Sequence, residues 1–227
     1  MAEGLLFVLS EPGSVPTAEF HDWYDGEHGP ARMALTGVHT GRRFRGMDGR
    51  TPTWLAAYDI DLDVLSTPAY RALREQRSAR EQAVIDRLAV LDRRIYELID
   101  DHGTTEGPPP VVVCTSMSVP ADREAALHSW YLDEHIPLLH AIPGWLRTRR
   151  YRLLDGNAPT HLAFHELSDT TPLETDAYRE ATTTPRRDEV IRSVTARERR
   201  VFAFHGDFRS APALSAAAVL NHRGRAG

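Results

Sequence analysis

His21-Asp22-Trp23-Tyr24-Asp25-Gly26-Glu27-His28-Gly29-Pro30 returns as His128-Ser129-Trp130-Tyr131-Leu132-Asp133-Glu134-His135-Ile136-Pro137. Six of the ten positions are identical, and all six are His, Trp, Tyr, Glu or Pro. Agreement at such uncommon residue types marks a duplication. The match continues in register on both sides. Arg42-Arg43-Phe44-Arg45 pairs with Arg149-Arg150-Tyr151-Arg152, and Gly37 pairs with Gly144. With small shifts, Ala69-Tyr70-Arg71 pairs with Ala177-Tyr178-Arg179 and Arg93-Arg94-Ile95-Tyr96 with Arg199-Arg200-Val201-Phe202. Each unit has the length of a domain rather than of a solenoid repeat. The 227-residue chain therefore reads as two fused copies, 1–102 and 111–209, joined by a Pro-rich linker over 103–110 and followed by an Ala-rich tail, 210–227, expected to be disordered.

Within one copy, Leu5–Ser10 is an apolar strand closed by Glu11-Pro12-Gly13. Thr17 can cap a helix that stops near Leu35, before Thr36-Gly37. Val38–Gly46 and Trp54–Ile60 form a hairpin, Ala69–Leu88 a second helix with a break near Arg77-Ser78, and Arg94–Ile99 a last strand. The second copy repeats the order, with one helix over Asp176–Arg192 and a last strand over Arg200–His205. The order β-α-β-β-α-β is ferredoxin-like. Such a sheet has helices on one face and nothing on the other, and a tandem copy supplies the cover. The expected fold is α+β: two ferredoxin-like units, sheets face to face, in one pseudo-dimeric α+β barrel.

The net charge is −5, which argues against a nucleic-acid partner. No segment has the length of a membrane span, and Cys114 is the single cysteine, which fits a cytoplasmic location. The arginines of 42–45 and 147–152 read mainly as solvated strand positions. Nucleotide-binding and nucleophile-elbow motifs are absent from the sequence.

Helix spacing singles out the candidates. Phe20, Tyr24 and His28 fall at i, i+4, i+8 on one stripe, as do Leu127, Tyr131 and His135. Such a stripe begins apolar, against the sheet, and ends in an imidazole suited to proton transfer. The alternative for His28 and His135 is a core histidine bound to a carbonyl. Glu27 and Glu134 lie off the stripe, to pair with an arginine or orient the imidazole, and Trp23 and Trp130 read as packing residues beside them. On the third strand Trp54, Ala56 and Tyr58 share a face, as do His161, Ala163 and His165. If that face meets the helices, Tyr58 and His165 approach the stripe histidines, and His161 and His165 break the symmetry of the two copies. The extra histidines point to the second half as the more active one. His21 and Asp25 have metal-ligand spacing, but Leu132 stands opposite Asp25, so a duplicated metal site is not expected.

The pattern Phe-x3-Tyr-x3-His-x-Pro, an Arg-rich second strand, Trp54-Leu55-Ala56-Ala57-Tyr58 and a Pro-Ala-Tyr helix start resemble the EthD-like family of the dimeric α+β barrel superfamily. The resemblance covers roughly residues 4–100 and 110–208. It implies a pocket between sheet and helices, no cofactor, and His28 and His135 as the helix histidines. Thr36-Gly37, where Pro143-Gly144 fits the pattern better, and Leu127, where Phe20 does, depart from it. The function it implies is that of a cofactor-independent lyase or isomerase, dehydratase- or cyclase-like, acting on a small carbonyl-bearing molecule of polyketide-derived or aromatic kind. His28 or His135 would be the acid/base; Tyr24, Tyr131, Tyr58, His161, His165, Arg43 and Arg150 would bind substrate. No metal is expected, and the chain would be a monomer or a homodimer of fused pseudo-dimers. The alternatives are a non-catalytic binding barrel, a cofactor-independent monooxygenase or a haem-handling protein.

Overall fold

A computed structural model describes residues 3–208. The expected tail, 210–227, lies outside the described residues. The first half runs β1 (Glu3–Glu11), α1 (Thr17–Trp23), α2 (Gly29–Met33), β2 (Val38–Gly46), β3 (Trp54–Asp61), α3 (Pro68–Glu75), α4 (Ala79–Ile85) and β4 (Val90–Gly103). The second runs β5 (Val111–Ser118), α5 (Glu124–Trp130), α6 (Ile136–His140), β6 (Trp145–Asp155), β7 (His161–Leu167), α7 (Asp176–Ala181), α8 (Pro185–Arg192) and β8 (Ala196–Asp207).

The eight strands close into one barrel in the order β1-β3-β2-β8-β5-β7-β6-β4. Each half contributes a four-stranded antiparallel sheet, and the halves pair at two antiparallel seams, β2 with β8 and β4 with β6. The sheets therefore do more than face each other, because their edges join and, among the described residues, no edge strand is left unpaired.

The apolar runs follow from burial on both faces. In β1, Leu5, Phe7 and Leu9 fill the barrel with Phe44, Leu55, Tyr96, Val112, Tyr151, Leu162, Phe164 and Phe202 from both halves. The alternate residues Leu6 and Val8 meet the helices together with Phe20, Trp23, Tyr24, Trp54, Ala56 and Tyr58. A strand covered on both sides loses its polar alternation and reads as a continuous hydrophobic run.

The structure departs from the sequence reading in four respects. The long strands β4 and β8 extend beyond Arg94–Ile99 and Arg200–His205, because their polar ends pair across the barrel, as Asp101 does with Arg149. The second-half helix is broken between Ala181 and Pro185, where Thr184 caps α8 and accepts the Arg187 N–H. Several arginines are buried and paired, including Arg43, Arg149 and Arg150 of the clusters expected in water. Arg43 meets Asp25, Arg94 meets Asp92 and Glu198, Arg149 meets Asp59 and Glu166, Arg150 meets Asp100, and Arg200 meets Asp48. Finally, the motif helices are not uniform. Between α1 and α2 lies a π-helical turn, Tyr24–His28, and between α5 and α6 another, Tyr131–His135.

Candidate active site

Each π-helical turn adds a residue to the helix at the repeated motif and rotates the residues beyond it. The histidine at its end consequently meets the tryptophan before it. The ring centroids of Trp23 and His28 are 4.5 Å apart, and those of Trp130 and His135 4.4 Å. The tryptophans thus form a wall for the histidines, which an ideal 3.6-residue helix would have placed on another flank. Glu27 accepts a hydrogen bond from the Ser78 hydroxyl and Glu134 one from Thr184, so each glutamate ties its turn to the cap of the facing helix. Arg80 of α4 lies 3.8 Å from Glu27.

His28 lines a cleft of about 200 Å³ between helices and sheet, over Leu6, Val8, Ile85 and Leu91. Arg32, Arg74, Arg77 and Arg93 line it too, with Tyr70, whose hydroxyl accepts from Arg93. Arg74 and Arg77 make no ion pair among the described residues. The cleft is therefore apolar at its floor and positive at its rim. His28 Nδ1 is 2.8 Å from Glu81 Oε1, with both groups buried. Burial, reinforced by Arg32, pushes the His28 imidazole down to about 4, against the pull of Glu81. Glu81 is held below the usual carboxylate range, first by its hydrogen bond with His28. At neutral pH the pair is a neutral imidazole donating Nδ1–H to a carboxylate, which leaves Nε2 as the nitrogen to take up a proton.

The matching cleft of the second half is about 40 Å³. Here His135 Nδ1 donates to the Ala181 carbonyl at 3.2 Å, and burial pushes its imidazole down to about 4. His165, Trp145, Tyr131, Tyr178, Arg187 and Arg199 share the cleft. Tyr178 and Arg199 repeat the contact of Tyr70 and Arg93. Thr148 Oγ1 meets the Trp145 indole N–H, His140 Nε2 and His165 Nδ1. A hydroxyl has one proton, so it donates to one imidazole and accepts from the other. Burial drives His165 well below the ordinary histidine range.

Another hollow, of about 190 Å³, opens at the barrel mouth beside Asp59, Asp101, Arg147 and Arg149, but those charges pair with one another.

No protein-family model matches the sequence, and no significant relative appears among curated proteins. Solved structures do match along nearly the whole chain. An anthrone oxidase-like protein is 13% identical with a TM-score of 0.68, covering 95% of this chain and 96% of its own. A proposed monooxygenase of Fusobacterium nucleatum is 11% identical with a TM-score of 0.60, covering 92% and 95%. Another, from Lactobacillus acidophilus, is 11% identical with a TM-score of 0.56, covering 93% and 98%. The chain shares the fold of these structures, an α+β fold with a closed antiparallel β-barrel.

In this barrel the residues singled out by sequence fall in several places. His28 stands in the larger cleft. His135, Tyr131 and His165 share the smaller one. Tyr24 and Tyr58 do not line the His28 cleft. Both are buried, each stacks on Phe208, and their two hydroxyls interact with each other. Gly29 and Gly41 leave the space that Phe208 occupies, since a Cβ on either would lie within 3.0 Å of its ring. Arg43 sits over the Phe20, Tyr24 and Trp54 rings, outside both clefts. Arg150 and His161 flank a recess of about 10 Å³ with His128, apart from His135. Sequence reasoning missed Glu81, Arg32, Arg74, Arg77, Arg93 and Tyr70.

Proposed function

We propose that this barrel is an enzyme of the lyase or isomerase kind and that the His28 cleft is its active site. The observation that carries the reading is the His28–Glu81 pair within a cleft of about 200 Å³ rimmed by arginines. The EthD-like resemblance supports it, with 1–102 and 111–209 taken as two copies of one unit. The first copy keeps an open cleft, while His165 and Trp145 help fill the second. This moves the chemistry from the half the sequence favoured to the other.

Neutral His28 takes a proton from carbon beside a substrate carbonyl, and Glu81 stabilises the imidazolium that forms. Arg32, Arg74, Arg77 and Arg93 hold a substrate carboxylate and the developing enolate. Return of the proton to another atom isomerises the substrate; loss of hydroxide as water dehydrates it. Isomerisation moves only a proton; dehydration also breaks the C–O bond, and the proton taken by His28 leaves with the hydroxide as water. A bound anion also offsets the Arg32 and Arg77 charges that hold His28 down, making it a stronger base. The cleft volume suits a substrate of one or two rings, below drug size.

The test is exchange of the carbon-bound proton of small aromatic and β-keto acids in D2O, monitored by NMR. His28→Ala should slow exchange by about 10²–10⁴-fold, and His135→Ala should leave it near the parent rate. A folded His28→Ala protein at the parent rate would sink the assignment. A second reading, cofactor-independent oxygenation, shares the deprotonation and draws on the names of the structural neighbours. Oxygen uptake during turnover separates the two.

A further inference from the structure

We propose that His21, Asp25 and His205 form a binding site for one divalent transition-metal ion, ligated across the junction of the two halves. His21 lies on α1 and Asp25 one turn later in the π-helical turn, while His205 comes from β8 of the other half. One ligand atom from each lies within 4.8 Å of the others. The rings of His21 and His205 stack at 5.0 Å, and Trp54 meets each edge-on, at 4.6 and 4.8 Å. His21 Nδ1 is buried without a hydrogen-bond partner. Asp25 Oδ1 accepts from Arg43 at 2.7 Å, leaving Oδ2 for an ion.

Two imidazoles and a carboxylate suit zinc, cobalt, nickel or copper rather than magnesium or calcium, which prefer oxygen. Bonds of about 2.0–2.1 Å require the three donors to close by on the order of 1 Å. Asp25 and His205 are exposed and can make that movement by rotamer change. Three protein ligands leave at least one position for water, as in open zinc sites. Arg43 orients the carboxylate as outer-shell partners do, while its charge weakens the cation's hold, so the affinity should be moderate rather than extreme.

The arrangement occurs once among the described residues. The corresponding positions are His128 and Leu132 of the second half and Ile99 on β4 of the first, so two of the three are apolar. The ion would clip β8 to the helix of the other half, so binding should stabilise the closed barrel. This proposal does not depend on the His28 cleft.

Zinc chloride added to the full-length protein tests it by thermal melting, with cobalt absorption in the visible as a second readout. At about a hundred-fold excess over Kd the melting temperature should rise by about 5 °C or more. Cobalt should give ligand-field bands of a histidine-bound ion. His205→Ala and, separately, His21→Ala should abolish both signals; Asp25→Asn should weaken them. No shift in the parent protein, or an equal response in a folded His205→Ala variant, overturns the proposal.

Discussion

His28 and His135 occupy matching positions and differ in what holds Nδ1, a carboxylate for one and a backbone carbonyl for the other. Both acceptors favour the protonated ring, but the Glu81 carboxylate adds a full negative charge that the Ala181 carbonyl lacks. If His28 is the base proposed above, with a pKa pushed down to about 4, activity should hold above that pH and be lost as the ring is protonated below it. The rate kcat/KM should therefore rise with pH to a plateau above about 4. Glu81→Gln keeps an acceptor for Nδ1–H but removes the charge that raises the imidazole. The acid limb should move to lower pH and the plateau should drop, by less than the loss in His28→Ala. An unmoved limb would show that Glu81 only positions the ring. The histidines were legible because duplication marked them twice. Glu81 was not, because Ser78-x-x-Glu81 reads as a capping box whose glutamate turns back on its own helix. Its backbone N–H does bond Ser78, yet the carboxylate crosses to His28, 53 residues away.

At the scale of elements, strand and helix order followed from apolar runs and stop signals, because burial and turn chemistry are local. The π-helical turns were not legible, since Trp, Tyr and His recur at spacings that an α-helix accommodates equally well. Nor was the wedge at the end of β8, where Phe208 enters a slot against Tyr24 and Tyr58 and its N–H donates to the Gly41 carbonyl. Gly29 opens that slot where the second copy has Ile136, and an added Cβ would come within 2.2 Å of the Phe208 ring. Gly29→Ala should expel the ring or shift α2, at a cost of about 1–3 kcal/mol. Near-ultraviolet circular dichroism of the tyrosines should change, while far-ultraviolet spectra should not. An unchanged melting temperature and near-ultraviolet spectrum would mean that Phe208 does not occupy the slot in solution.

For the whole molecule, duplication settled the architecture because a half-covered sheet needs a partner, but nothing local announced that the edges would also join. The two seams account for the length of β4 and β8, and the core inside the barrel draws on both halves. Asp59 of the first half and Arg149 of the second meet at 2.5 Å. A half on its own would expose Leu5, Phe7, Leu9 and Phe44, or Val112, Leu162, Phe164 and Phe202, along with two unpaired strand edges. The covalent tie between the halves is Thr104–Pro110, outside all eight strands. Cutting there removes no seam and no core contact, only the high effective concentration that one chain provides. Residues 1–106 and 107–227 expressed together should therefore purify as a one-to-one complex with the near-ultraviolet spectrum of the intact protein. Its melting temperature should fall on dilution, as mass action requires of an assembly that unfolds by separating. Either piece alone should self-associate or aggregate, because pairing with a second copy is the remaining way to cover its open face. If size-exclusion chromatography instead finds each piece as a stable, folded monomer, the halves are independent domains and the shared core does not hold the barrel together.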